Sequence, residues 1–196
     1  ALAMRLLDRH GVVTRDAVAT ESIQGGFGAV YPVLRELEEH GRVRRGYFVE
    51  GLGGAQFALP GAVDRLRSLR ADPGGDRSAD ARTLLLAAAD PANPYGAALA
   101  WPRTGDDDTR VFARAAGAYV VLHDGDPTLY LDRGGRSVQT LPAFADPGAA
   151  RASLAVLAEL LADGRLRSLQ LEKVDGVPVG ESGHRQRLVD AGFRAS

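Results

Sequence analysis

Three guanidinium groups fall within four residues at Arg42, Arg44 and Arg45. A planar guanidinium donates in pairs to phosphate oxygens, and each such contact on a nucleic acid releases condensed counterions. The cluster therefore suits sequence-independent binding to a sugar–phosphate backbone, or, on an edge strand, the guarding of that edge against another chain. Tyr47 lies two residues further on, where its ring either stacks on a base or packs into the strand layer. Just upstream, Gln24, Gly28, Tyr31, Arg35 and Glu38 form the free face of a helical pattern, the face that a groove-reading helix presents. That set is thin, and Glu36, Glu38 and Glu39 surround it with negative charge. Major-groove base reading is therefore not expected, and packing against neighbouring domains is the alternative. The candidate DNA-binding set is Arg42, Arg44, Arg45, Arg35, Gln24 and Tyr47, directed mainly at phosphate.

Catalytic patterns are scarce elsewhere. There is no G-x-x-x-x-G-K-[ST] string, and the only lysine, Lys173, falls in a strand pattern, so the chain itself holds no P-loop triphosphate site and no cofactor is expected in it. His10, His40, His123 and His184 lack metal-ligand spacing and cysteine is absent, so no metal site is expected either. Asp106, Asp107 and Asp108 read as a solvated loop. Gly53-Gly54 and Gly134-Gly135 precede no helix start and read as turns rather than phosphate cradles.

The elements that must position the arginines follow from periodicity. Leu2, Leu6 and Leu7 predict a helix ending at Gly11, and Thr14 predicts the N-cap of a second helix carrying Val18. Phe27, Val30, Leu34 and Leu37, spaced 3, 4 and 3, predict a third helix ending at Gly41. Pro32 requires that this helix either begin near residue 31 or kink there. Two β-prone runs, Arg42 to Glu50 and Ala55 to Leu59, are joined by Gly51-Leu52-Gly53-Gly54 and read as a hairpin. Strict alternation places Arg45 on the side of Val43, and a bulge at Gly46 is expected to bring all three arginines to solvent. A helix after Pro60 is expected to bury Val63, Leu66 and Leu69. Three short helices followed by a hairpin is the winged-helix layout.

The polar ADPGGDRSAD stretch predicts a linker, dividing the chain into a winged-helix domain (1–70), a linker (71–81) and a second domain (82–196). In the latter, Thr83 to Ala89 is a short apolar run. Ala118 to Leu122, Thr128 to Asp132 and a further strand beyond Arg133-Gly134-Gly135-Arg136 read as a β-meander. Pro147 to Asp163 predicts a helix with Leu154, Leu157, Leu160 and Leu161 inward. Leu166 to Val174 predicts a half-buried strand and Ser182 to Ala191 a last helix. The expected fold class is α+β: a winged helix followed by a small β-barrel-like α+β module.

The 196 residues carry 24 basic and 25 acidic side chains, 45% hydrophobic content and no cysteine, which excludes a disordered tail and a disulfide-stapled secreted module. Twenty-three of the basic residues are arginine, the usage of a GC-rich genome. Residues 1–71 have net charge +2 and the remainder −3, so only the first part leans toward an anionic partner, while the second suits a protein neighbour. No apolar run reaches membrane-helix length, and neither a membrane partner nor a leader is expected, which places the chain in the cytoplasm. The chain begins inside an amphipathic pattern without an initiator methionine, as a fragment of a longer polypeptide would.

Three strings together, GGFGAVYPVLRELEEHGRVRRGYFVEGLGGAQFALPGAVDRLR, LLLAAADPANPYGAALAWP and GAYVVLHDGDPTLYLDRGGR, resemble the far C-terminal region of bacterial Lhr proteins, the large helicase-related family of DEAD/DEAH-type ATP-dependent DNA helicases. The resemblance runs from about residue 1 to 194. It implies a non-catalytic DNA-binding and assembly module of a DNA-repair helicase, with ATP and Mg²⁺ acting in a core outside these residues. The implied partners are DNA, neighbouring domains of the same polypeptide and further copies of the chain. The implied architecture is similar to AlkZ-type DNA glycosylases, which makes a glycosylase component the alternative and a self-associating scaffold a third. The Q-x-D or Q-x-Q pattern of those glycosylases is not reproduced. Gln170-Leu171-Glu172 comes closest, and no role is carried onto it.

Overall fold

The computed structural model describes residues 1–69, 81–105, 108–162 and 169–194. Residues 71–80 of the expected linker lie outside them, as do Asp106, Asp107, Leu166 and the side chains of Leu160 and Leu161. The elements fall into two compact units.

In the first unit, α1 (Leu2–His10) ends at Gly11, whose φ of 68° a side-chain-bearing residue resists. β1 (Val12–Val13) follows, then α2 (Arg15–Ala19), capped as expected by Thr14, whose Oγ1 accepts the Ala17 N–H at 3.1 Å. α3 (Gly26–Glu39), β2 (Arg44–Gly46), β3 (Gln56–Ala58) and α4 (Pro60–Ser68) complete the unit. Leu6, Leu7, Val13, Val18, Val30, Leu34 and Phe57 close the core from α1, β1, α2, α3 and β3, with Val43 from the turn before β2.

Several expectations need correction. α3 does not start near residue 31; it runs from Gly26 to Glu39 as one helix with Pro32 inside it. The carbonyl that Pro32 cannot serve belongs to Gly28, an exposed residue, so it is left open to solvent rather than buried without a donor. β1 was not anticipated: it pairs with β3, giving an antiparallel sheet of order β1-β3-β2. The β2·β3 register is continuous (Arg44 with Ala58, Arg45 with Phe57, Gly46 with Gln56), so there is no bulge at Gly46. On α4 only Val63 is buried, whereas Leu66 is 39% and Leu69 71% exposed, because the helix meets its own unit on a narrow stripe.

The second unit is a six-stranded sheet of β4 (Thr83–Ala87), β5 (Tyr119–His123), β6 (Asp126–Leu131), β7 (Ser137–Thr140), β8 (Lys173–Val174) and β9 (Val177–Pro178), in that order. All pairs are antiparallel except β7·β8. The sheet is open, so the barrel-like expectation is corrected. Its last two strands have two residues each, too few for the staggered ladder that closure demands. Of the expected strand Leu166 to Val174, only β8 pairs among the described residues. A bulge does occur, between Val121 and Leu122 of β5. α5 (Pro147–Ala162) lays Ala150, Leu154 and Leu157 on Val121, Leu129, Leu131 and Val138, and Leu188 of α6 (Arg185–Asp190) joins that core. The expected last helix is thus shorter than Ser182 to Ala191. No described helix is long and apolar enough to cross a membrane.

Candidate nucleic-acid interface

Arg42, Arg44 and Arg45 are all exposed, while Val43 between them is buried. Arg42 is fixed at the end of α3, where its N–H donates to the Leu37 carbonyl at 2.9 Å. Arg44 stands on β2, an edge strand of the wing. Neither has an ion-pair partner among the described residues. Arg45 differs: alternation puts it on the face of Phe57, and its Nε reaches back to Glu38 Oε1 at 3.3 Å. The arginine cluster therefore offers two uncommitted guanidinium groups and one held by α3. Exposed pairs of this kind are weak, so Arg45 can still exchange its partner.

The other expected contacts disperse. Gln24 is exposed but precedes α3, separated from it by its N-cap, Gly25, at φ 78°. Arg35 Nε pairs with Glu39 Oε1 at 3.1 Å. Tyr31 is drawn into the core edge, 5.7 Å from the Phe27 ring and 5.8 Å edge-on to Phe57. The exposed side of α3 carries Glu36 and Glu39, which repel a polyanion. A shallow hollow of about 320 Å³ lies there between Tyr31, Pro32, Arg35, Glu36 and Glu39, and two of its five walls are acidic.

Tyr47 did not pack into the strand layer. It is 86% exposed, immediately after β2. The residue that sequence reasoning missed is Gln56. Fully buried on β3, its Oε1 accepts the N–H groups of Phe48 (2.8 Å) and Val49 (2.9 Å), while Nε2 donates to the carbonyls of Val49 (2.9 Å) and Leu52 (2.7 Å). All four hydrogen-bonding positions of the amide are filled by the wing loop. An alternating strand containing a glutamine flanked by Ala55 and Phe57 was the available signal.

Comparison with known proteins agrees with this layout. Residues 1–78 match the family model described as the winged-helix domain of large helicase-related protein. A Mycolicibacterium smegmatis protein named Lhr helicase/probable uracil glycosylase is 49% identical over 174 residues, covering 89% of this chain and 11% of its own length. The Escherichia coli Lhr helicase/uracil glycosylase is 39% identical over 196 residues, all of this chain and 12% of its own length.

The chain belongs to the Lhr family. It spans about one-ninth of the length of these two Lhr relatives. Gln170 and Glu172, the nearest approach to the glycosylase pattern, are both exposed in an irregular segment before β8, not in a strand. Glu172 Oε1 lies 3.4 Å from Arg136 Nη1. Lys173 is exposed on β8, and its N–H lies 3.2 Å from the Arg136 carbonyl.

Proposed function

We propose that this chain is a DNA-contacting and assembly module of an Lhr helicase engaged in DNA repair, holding DNA mainly by its sugar–phosphate backbone. The observation that carries the reading is the pair of uncommitted guanidinium groups of Arg42 and Arg44 at the root and edge of the wing, beside a third helix whose exposed acids oppose groove entry. Arg45, Arg35, Gln24 and Tyr47 take secondary places in that contact. ATP and Mg²⁺ would act in another part of the longer polypeptide, and neighbouring domains and further copies of the chain are its protein partners.

Binding of the chain to duplex across a salt series tests this. Arg42→Ala with Arg44→Ala should flatten the slope of log affinity on log salt by about 0.9 for each phosphate no longer neutralised, and Arg45→Ala by less. An unchanged slope in the double variant removes the reading.

A second reading, participation in uracil excision, is favoured by the names of both relatives. Incubation with uracil-containing DNA followed by scoring of abasic sites tests it directly, and an absence of such sites counts against activity in this chain alone.

A further inference from the structure

We propose that the wing presents Tyr47 as a stacking platform for an unpaired base, which makes duplex bearing a single-stranded extension the preferred ligand of this interface. The inference deepens the phosphate-contact reading above and rests on it.

The argument begins with what holds Tyr47 out. A large aromatic ring left 86% in water is an unusual placement for a side chain that buries readily. Its two chain neighbours are both anchored. Gly46 pairs with Gln56 in the β2·β3 ladder, and the Phe48 N–H donates to the Gln56 side chain at 2.8 Å. One fully buried residue thus fixes the backbone on both sides of the exposed ring. Phe48 also fills the space over Gly46, where an added Cβ would come within 3.1 Å of its ring, so the inward position is already taken and Tyr47 faces solvent.

Next comes what such a ring can bind. Inside an intact duplex each base face is covered by its neighbours, and only edges are offered in the grooves. Edge reading requires an array of donors and acceptors, which the exposed side of α3, with Glu36 and Glu39, does not supply. A free π-face exists on an unpaired base or on a terminal pair, and aromatic stacking there is tolerant of sequence. Arg42 and Arg44 contribute the phosphate attraction that brings the strand to the ring.

The experiment measures affinity of the 196-residue chain for a blunt duplex and for the same duplex with a single-stranded extension. Tyr47→Ala, at an exposed position that does not threaten folding, should lower the extension-to-blunt preference by about tenfold, and Tyr47→Phe should keep it. Gln56→Ala removes the acceptor that holds the Phe48 and Val49 N–H groups, loosens the backbone just after the ring and should lower the preference in the same direction while the aromatic is still present. With 5-iodouracil at the first unpaired position, ultraviolet light should crosslink Tyr47, and should not when that base is paired. If Tyr47→Ala leaves the preference unchanged while Arg42→Ala with Arg44→Ala still flattens the salt slope, the stacking role is overturned and the phosphate reading stands. If neither variant alters binding, both fall.

Discussion

The two units put arginine to opposite uses. In the wing, Arg42 and Arg44 face water without an acidic partner among the described residues, and Arg45 holds one half-buried glutamate. In the second unit, Arg110 is committed along its whole fork. Nε and Nη2 each donate at 2.8 Å to Asp108, Nη2 also to Thr104 Oγ1, and Nη1 to the Thr140 carbonyl (3.0 Å) and Asp175 (3.2 Å). Asp175 in turn accepts the Thr140 N–H and hydroxyl at 2.7 and 2.8 Å. Arg114 is used in the same way, donating to the carbonyls of Asp90, Asn93 and Tyr95 and so fixing an irregular loop against the aromatic cluster of Tyr95, Trp101, Phe112 and Tyr130. Gly96 (φ 74°) leaves room there that the Trp101 indole fills. One side chain serves as glue where carbonyls and carboxylates converge and as ligand-seeking charge where they do not.

The contrast is sharpest in stability. Arg110→Ala takes both guanidinium bonds from Asp108, which keeps the N–H groups of Thr104 and Arg110, and removes a bond from Asp175; urea unfolding of the second unit should show a loss of about 2 kcal/mol. Arg114→Ala leaves three loop carbonyls short of a donor, for a loss of about 1 to 2 kcal/mol in the same measurement. Thr14→Ala removes a helix cap from the first unit and should cost about 1 kcal/mol in its thermal unfolding. Arg42→Ala with Arg44→Ala should change stability by less than about 0.5 kcal/mol while altering DNA binding. An equal loss in stability from the wing pair and Arg110 would erase the distinction.

Acid sharpens it further. Asp108 is held well below the usual carboxylate range, chiefly by the Arg110 side chain and then by the N–H groups of Thr104 and Arg110. A carboxylate depressed in the folded state stabilises above its unfolded value, and that contribution is lost as pH falls below it. The stability difference between the native chain and Asp108→Asn should therefore be full above about pH 4 and shrink steadily below it. No wing arginine should produce such a profile, since guanidinium does not titrate there.

Legibility differed between the units for a physical reason. The winged helix was readable because its signals are local: Gly11 ends α1, Thr14 caps α2, a 3-4-3 apolar stripe defines α3, and glycines mark the wing. The meander and α5 were readable on the same grounds. The false expectations came from long-range decisions. Whether Leu66 and Leu69 are covered, whether Gly46 bulges and whether a sheet closes each depend on partners distant in sequence. Of the candidate site, the arginine cluster was visible as composition, but the withdrawal of Arg45 and Arg35 into pairs with Glu38 and Glu39 was not.

By itself the sequence determined the helices of the first unit, the placement of Arg42, Arg44 and Tyr47 at or beside the first strand of a hairpin, and the family, since periodicity, caps and turn residues act within a few positions of one another. Tertiary structure alone decided which guanidinium groups stay free, that Tyr47 points outward and that Gln56 ties the wing. Those outcomes are settled by hydrogen-bond partners and packing that the chain acquires only when segments far apart in sequence meet.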